Sequence, residues 1–272
     1  DKLKIESNPK KTKTGQYSTS EETLSKLSKK HAIVKEILDW RSLQKLMTTY
    51  INALPDQVDD NTGRIHSIFN QTNTTTGRLS SNNPNLQNIP IRTKNGRMIR
   101  SAFSARDGHL ILSADYSQIE LRVIASMSGD KNMIDAFNEN EDIHASTAAN
   151  VFGIKLQKVS KEQRSHAKIV NFGIIYGVSA FGLSNQTNLT RAESKVIIDN
   201  YYESYPSLKE FMSSQINFAR ENGFVKTILG RKRFLNDINS RNGMLRSSAE
   251  RNAINTPVQG RAADIIKLSM IN

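Results

Sequence analysis

The sequence predicts an α+β fold in which helices dominate and strands are few and short. Two observations carry that expectation. Helical patterning covers most of residues 133–205, with loops at Gly153 and near Asn185. Three β-prone runs stand apart from it: RIHSIFN (64–70), LIL (110–112) and GFVKTILGRKRFL (223–235). A length of 272 residues is enough for one large or two ordinary domains, each with a real core.

The elements follow in chain order. Residues 1–16 are Lys-rich and polar and read as a flexible lead-in. Ser18-Thr19-Ser20-Glu21 looks like a helix start, with apolar positions continuing through Leu24, Leu27, Ile33, Ile37 and Leu38. A second helix is expected through Leu43, Leu46, Met47 and Tyr50, stopping near Pro55. RIHSIFN alternates like a strand, and QTNTTTGRLSSNNPNLQNIP (71–90), too polar for a core, reads as a surface connection. Leu110, Ile111 and Leu112 suggest a buried strand ending near Asp115, after which Ile119, Val123, Ile124 and Met127 restore helical spacing. Asp142 suits the N-cap of a further helix, which makes His144 an ordinary first-turn residue by default. Pro206 interrupts the pattern before a helix through Leu208, Phe211, Ile216 and Phe218, and Asn222-Gly223 marks a turn. Two short strands are expected around Gly230-Arg231, where Arg231, Lys232 and Arg233 form either a phosphate-facing edge or a solvated hairpin tip. Pro257 interrupts the last helical segment and predicts a helix end or a kink there.

Composition narrows the partners. Net charge is +12 and the pI near 9.8, which favours a polyanion. Residues 1–50 carry 11 Lys+Arg against 6 acids, and residues 220–272 carry 10 against 4, so the excess lies at the two ends. The absence of cysteine excludes disulfides and thiolate zinc sites. No apolar run is long enough to span a membrane as a helix.

The most informative spacing is that of Arg164, Lys168, Phe172 and Tyr176, four apart, with Gly177 behind. On a helix each such step advances about 6 Å and turns ~40° past a full circle, so the four side chains line one face for about 18 Å. Two cations followed by two flat rings suit a nucleoside triphosphate lying along the helix; a charged helix end with an aromatic core stripe is the plainer reading. Asp115, at the exit of the expected strand, could hold a divalent ion against a phosphate or simply sit in a turn. Ser117 and Glu120 have the spacing of a capping box, which gives Glu120 a structural reading of its own. Arg251, Asn255 and Gln259 again fall four apart.

Together these stretches resemble family A DNA polymerases. DYSQIELR (115–122) is similar to the family's motif A and Arg164–Gly177 to its motif B. TGRLSS (76–81), PNLQNIP (84–90), DIH (142–144) and NTPVQG (255–260) match in the family's order, and the resemblance runs from about Lys11 to Asn272. It implies a right-hand polymerase fold: mostly helical fingers on a partial antiparallel palm sheet, with the base of the thumb. Residues 1–60 would be the base of the thumb and the way into the palm, 61–130 the palm with motif A, 131–205 the fingers with motif B, and 206–272 the return to an incomplete palm.

The resemblance also implies roles. Asp115 would bind two catalytic Mg2+ ions, with the Tyr116 carbonyl as a further ligand. Arg164 and Lys168 would contact the triphosphate, and Lys168 would assist departure of pyrophosphate. Gln118 and His144 would help hold the phosphates. Glu120 would exclude a ribose 2′-hydroxyl, Phe172 would pack on the sugar and disfavour dideoxynucleotides, and Tyr176 would sit at the base end. Arg78 would reach the DNA minor groove, with Asn85, Gln87, Asn88, Arg251, Asn255 and Gln259 adding primer and template contacts. The implied protein is a monomeric, cytoplasmic DNA-directed DNA polymerase of replication and repair, acting on primer–template DNA and deoxynucleoside triphosphates without a membrane partner. The family adds a second aspartate in a His-Asp-Glu turn shortly after the region aligned with ADIIKLSMIN, and the chain stops at Asn272 before it. It therefore reads as an internal fragment, expected to polymerise weakly or not at all alone. Two rival readings are a phage-type single-subunit RNA polymerase, against which SQIE and Phe172 argue, and a non-catalytic DNA-binding protein that keeps the fold.

Overall fold

The computed structural model describes residues 5–187 and 189–271. The chain forms two units, residues 1–70 with 81–112 and residues 71–80 with 113–272.

In the first unit, Lys11 and Tyr17 bridge in antiparallel fashion around a turn closed by the Thr12 N–H on the Gln16 carbonyl at 2.7 Å. The later part of the expected flexible lead-in, from residue 10, is therefore a bridged turn whose backbone groups find partners locally; residues 1–4 lie outside the described residues. Ser20 caps α1 (Glu21–Ser28) through the Thr23 N–H, and Glu21 and Glu22 complement the helix dipole in the first turn. The patterning that suggests one helix through Leu38 breaks at residues 29–31, where His31 takes an extended conformation and starts α2 (Ala32–Leu46). A run of Lys-Lys-His offers no apolar contact to hold a continuous helix. α2 passes directly into a π-turn, Met47–Ile51, whose Tyr50 is buried and donates from Oη to the Asn88 carbonyl at 2.5 Å.

RIHSIFN is not one strand. β1 (Val58–Asp59) pairs with β2 (Arg64–Ile65) as a small hairpin, and β3 (Ile68–Asn70) pairs instead with β4 (Ser80–Asn82). Alternation alone does not reveal that a strand changes partner. β4 also corrects the reading of residues 71–90 as wholly superficial: Ser81 is buried, accepts the Leu86 N–H at 3.0 Å and shares a hydrogen bond with Ser67 Oγ at 2.7 Å. Polar side chains can be interior when their bonds close locally. α3 (Lys94–Ser101), capped by Thr93, follows.

Leu110, Ile111 and Leu112 are 95%, 65% and 91% exposed and form no strand. β-propensity marks a segment that suits a sheet, but a strand needs a neighbour to complete its ladder, and no described residue supplies one.

The second unit is a helical assembly. α4 (Ile119–Ser128) ends at Gly129 in the left-handed region, and α5 (Lys131–Asn138) starts at its cap Asp130. α6 (Ile143–Phe152), α7 (Lys161–Ile175), α8 (Ala180–Gln186) and α9 (Arg191–Ser204) follow, the second and fourth of these opened by full capping boxes, Ser160/Gln163 and Thr190/Glu193. Pro206 begins α10 (Pro206–Asn222) at its first position, where its missing N–H costs nothing. β5 (Phe224–Lys226) and β6 (Lys232–Phe234) form an antiparallel hairpin. α11 (Gly243–Ile271) closes the unit.

Leu121 and Ile124 of α4, Val170 and Ile174 of α7, Tyr201 of α9 and Val258 of α11 share one core. Pro257 lies inside α11, which neither ends nor is interrupted there. One backbone hydrogen bond is lost, but Ala253, Ile254, Val258 and Ala262 are buried on both sides of it and hold the two halves together. Gly260 explains a close approach: a Cβ there would stand 2.2 Å from Thr227 Cγ2 at the end of β5.

Candidate functional site

α7 organises the site. Ser160 accepts the Gln163 N–H at 3.1 Å while the Gln163 side chain accepts from the Ser160 N–H at 3.0 Å, so the helix starts firmly just before Arg164. Ala167, Val170, Asn171, Ile174 and Ile175 face inward. The adjoining face presents Arg164 and Lys168 to solvent and half-buries Phe172, in the order the spacing predicts. Tyr176 caps the helix C-terminus rather than extending it. Gly177 then turns the chain at φ +67°, and a Cβ on it would meet Arg251 Cγ of α11 at 2.6 Å.

The start of α6 joins the cationic end of this face. Asp142 caps α6 as the sequence suggests, its Oδ1 accepting the His144 N–H at 3.0 Å and the Ala145 N–H at 3.3 Å. Its Oδ2 takes Arg164 Nε at 2.5 Å. Burial opposes ionisation of Asp142, but the Arg164 hydrogen bond and the two backbone N–H groups outweigh it and hold the carboxyl below its ordinary range.

His144 is buried, with only 3% of its surface exposed. Thr147 Oγ1 donates to Asn171 Oδ1 at 3.1 Å, which orients the amide so that Asn171 Nδ2 donates to His144 Nδ1 at 2.9 Å. The imidazole is therefore neutral with its proton on Nε2. Burial pushes its pKa down, and the charges of Arg164 and Lys168 push the same way against Asp142. His144, Arg164, Lys168 and Phe172 thus form one cluster, the His144 and Phe172 rings 5.8 Å apart.

A second cluster sits at the other end of α7. Glu120 in the first turn of α4 makes no cap: the N-cap is Gln118, left-handed at φ 55° and without a side-chain cap bond. The Glu120 carboxylate instead accepts from Tyr176 Oη at 2.6 Å and pairs with the Arg78 guanidinium. Burial, then the bond and charge of Glu120, raise the Tyr176 pKa, while a hydrogen bond from Gln259 works in the other direction. Arg78, Glu120, Tyr176 and Gln259 thus converge from four segments distant in sequence.

The remaining expected residues are more dispersed. Asp115 and Tyr116 are exposed on the loop leading into α4, and Tyr116 Oη shares a hydrogen bond with Ser269 Oγ of α11 at 2.6 Å. Among the described residues no three His, Cys, Asp or Glu side chains group as a metal cage. Arg251 bonds Ser247 Oγ at 3.3 Å, and Asn255 Oδ1 is buried without a hydrogen-bond partner. Asn85, Gln87 and Asn88 belong to the first unit, where Asn85 caps the short turn Leu86–Asn88 by accepting the Gln87 N–H at 3.1 Å.

The basic triplet 231–233 is neither a uniform edge nor a solvated tip. Arg231 packs against Gly77, Lys232 lies 4.5 Å from the Phe224 ring centre, and Arg233 donates to Thr256 Oγ1 at 3.0 Å. Strand alternation sends successive side chains to opposite faces, so three adjacent cations cannot act as one patch. Sequence reasoning missed the link from Asp142 to Arg164 and the support of His144 by Asn171. An asparagine mid-helix, seven residues after Arg164 and three after Lys168 and so flanking the cationic stripe, was the available signal for the second.

The fold is that of a polymerase domain. The POL domain of Pol1 from M. smegmatis, solved in complex with DNA primer-template and dNTP, is similar to this chain at a TM-score of 0.88 and 42% identity, covering 97% of this chain and 47% of that one. The sequence profile of DNA polymerase family A matches residues 1–272, and the chain belongs to that family. It is 51% identical over 262 residues to DNA polymerase I of Caldicellulosiruptor bescii (96% of this chain, 31% of that protein). It is 46% identical over 271 residues to the thermostable DNA polymerase I of Thermus aquaticus (100% of this chain, 33% of that protein). The chain thus spans about a third of the length of these relatives.

Proposed function

We propose that this chain carries the nucleotide-binding and DNA-gripping part of a DNA-directed DNA polymerase, with residues 131–205 as fingers, 61–130 and 206–272 as palm, and 1–60 as the base of the thumb. The observation that carries the reading is the α7 face, where Arg164 and Lys168 stand exposed beside buried, neutral His144 while Phe172 and Tyr176 continue toward Glu120. In the proposed reaction a primer 3′-hydroxyl attacks the α-phosphate of a deoxynucleoside triphosphate and pyrophosphate leaves. Arg164 and Lys168 bind the triphosphate and offset the charge that develops on the leaving group. Phe172 packs on the sugar, and Glu120, fixed by Tyr176 and Arg78, fills the space a 2′-hydroxyl would need. Gln118 and Tyr176 border the bound nucleotide. Arg78, Asn85, Gln87, Asn88, Arg251, Asn255 and Gln259 contact primer and template.

Asp115 and the Tyr116 carbonyl supply only oxygen donors, a set that fits Mg2+, an ion commonly held by one or two carboxylates together with substrate phosphates. When bound, Mg2+ stabilises charge on the attacking and leaving oxygens. We further assign the protein to the cytoplasm as a monomer.

Deoxynucleoside triphosphate binding to the full-length gene product, measured with and without Mg2+, tests the reading. Binding should strengthen with Mg2+ and lose that dependence in Asp115→Ala. Affinity indifferent to both changes would point to a basic clamp that holds DNA without polymerising.

A further inference from the structure

Resting on that reading, we propose that Asp142 is a positioning residue for the triphosphate: it grips Arg164 by one edge so that the other edge meets phosphate oxygens in a fixed orientation. Both oxygens of the Asp142 carboxylate are engaged. One oxygen receives the His144 and Ala145 N–H groups at the start of α6, and the other receives Arg164 Nε at 2.5 Å. A guanidinium has five N–H donors in a rigid planar fork, and engagement of its Nε edge leaves the outer end, formed by the two Nη groups, pointing away from Asp142. Those are the donors that suit bidentate binding of a phosphate.

The ion pair has no strong claim as a stabilising device. Its two side chains are 45% and 40% exposed, and pairs this accessible contribute little to folding. Its geometry is informative for a different reason. Arg164 would otherwise carry several free torsions into the complex, and ordering them weakens binding. A carboxylate anchored to a helix start by two backbone N–H groups offers a rigid support for that side chain. The same anchor ties Arg164 to the segment that carries His144, so cation and imidazole keep a constant separation.

Charge and orientation make opposite forecasts. As a bare negative charge, Asp142 repels a triphosphate, and its removal should tighten binding. As a positioning group, it should tighten binding by its presence. Asp142→Asn separates them, because asparagine caps a helix as well as aspartate does, while its amide can no longer attract the Arg164 cation.

The test uses the full-length gene product with primer–template DNA and a complementary deoxynucleoside triphosphate. Asp142→Asn should raise the KM about tenfold, the scale of one charge-assisted hydrogen bond, with kcat changed far less and thermal stability lowered only slightly. In an Arg164→Lys background, where no Nε edge exists, Asp142→Asn should have no further effect. An unchanged or lowered KM overturns the proposal, as does an undiminished effect in the Arg164→Lys background. If wild-type protein fails to bind the triphosphate at all, the underlying polymerase reading falls, and the positioning role with it.

Discussion

Glu120 and Tyr176 are joined by a 2.6 Å hydrogen bond that ties the first turn of α4 to the end of α7. The phenol pKa is raised first by burial and then by Glu120, so Tyr176 remains protonated and donating at neutral pH. The second Glu120 oxygen is held by Arg78, so the carboxylate is fixed from two sides. A side chain immobilised in this way can exclude by shape, which a freely rotating glutamate could not do.

Glu120→Ala in the full-length gene product should reduce discrimination between deoxy- and ribonucleoside triphosphates by about tenfold or more, since the excluded 2′-hydroxyl gains room. Tyr176→Phe, which keeps the ring and removes only the bond to Glu120, should relax selectivity less. Single-nucleotide incorporation with each triphosphate measures the ratio. Selectivity unchanged in Glu120→Ala removes the gate assignment.

Gly260→Ala should destabilise the protein by about 2 kcal/mol despite alanine's better helix propensity, because the new Cβ collides with Thr227 Cγ2. Thr227→Ser deletes that methyl and keeps the hydroxyl. Introduced into the Gly260→Ala protein, it should recover part of the loss, and urea denaturation of the four proteins of this cycle tests the coupling. Additive effects would show that the close approach of α11 to β5 is not what requires glycine.

The parts of this fold legible in the sequence are those set by local chemistry. Asp142 caps α6 as its position suggests, the start expected at Ser18–Glu21 is made by Ser20, Pro206 opens α10, and Arg164, Lys168 and Phe172 keep one face. Failures occur where the outcome depends on a partner remote in the chain. Leu110, Ile111 and Leu112 have strand propensity but no ladder among the described residues. Glu120 has a capping-box spacing but bonds residues 42 and 56 positions away. The family motifs pointed to Glu120 and Arg164 as candidates without indicating these partners. The ion pair of Asp142 with Arg164 left no periodic signal at all.

Gly177→Ala should cost roughly 1–2 kcal/mol from the left-handed backbone alone, plus whatever is needed to displace the Arg251 side chain. Gly223→Ala is the natural comparison. Its φ of +76° imposes a similar backbone penalty, but a Cβ there meets nothing within 4 Å. The excess destabilisation of the Gly177 variant over the Gly223 variant therefore measures packing between the end of α7 and α11. Equal losses in chemical denaturation would mean that the Arg251 stem yields freely.

Acid stability should follow from His144 and Asp142 with a definite sign. The His144 pKa is lowered by burial and by the nearby cations, so just below pH ~6.5 the unfolded chain binds a proton that the folded protein refuses. Stability must then rise with pH up to about 6.5 and become independent of this group above it. Asp142 is also depressed, from an ordinary value of 3.8. Its contribution is present above pH ~3.8 and disappears as pH falls through the lower folded value. Urea midpoints collected between pH 3 and 8, a range chosen to span both ordinary values, should therefore climb in two stages. His144→Gln, which retains a hydrogen-bonding side chain without titrating, should flatten the upper stage and leave the lower one in place. An upper stage that persists in this variant would mean that another group refuses the proton, and that His144 is not the buried neutral base of the site.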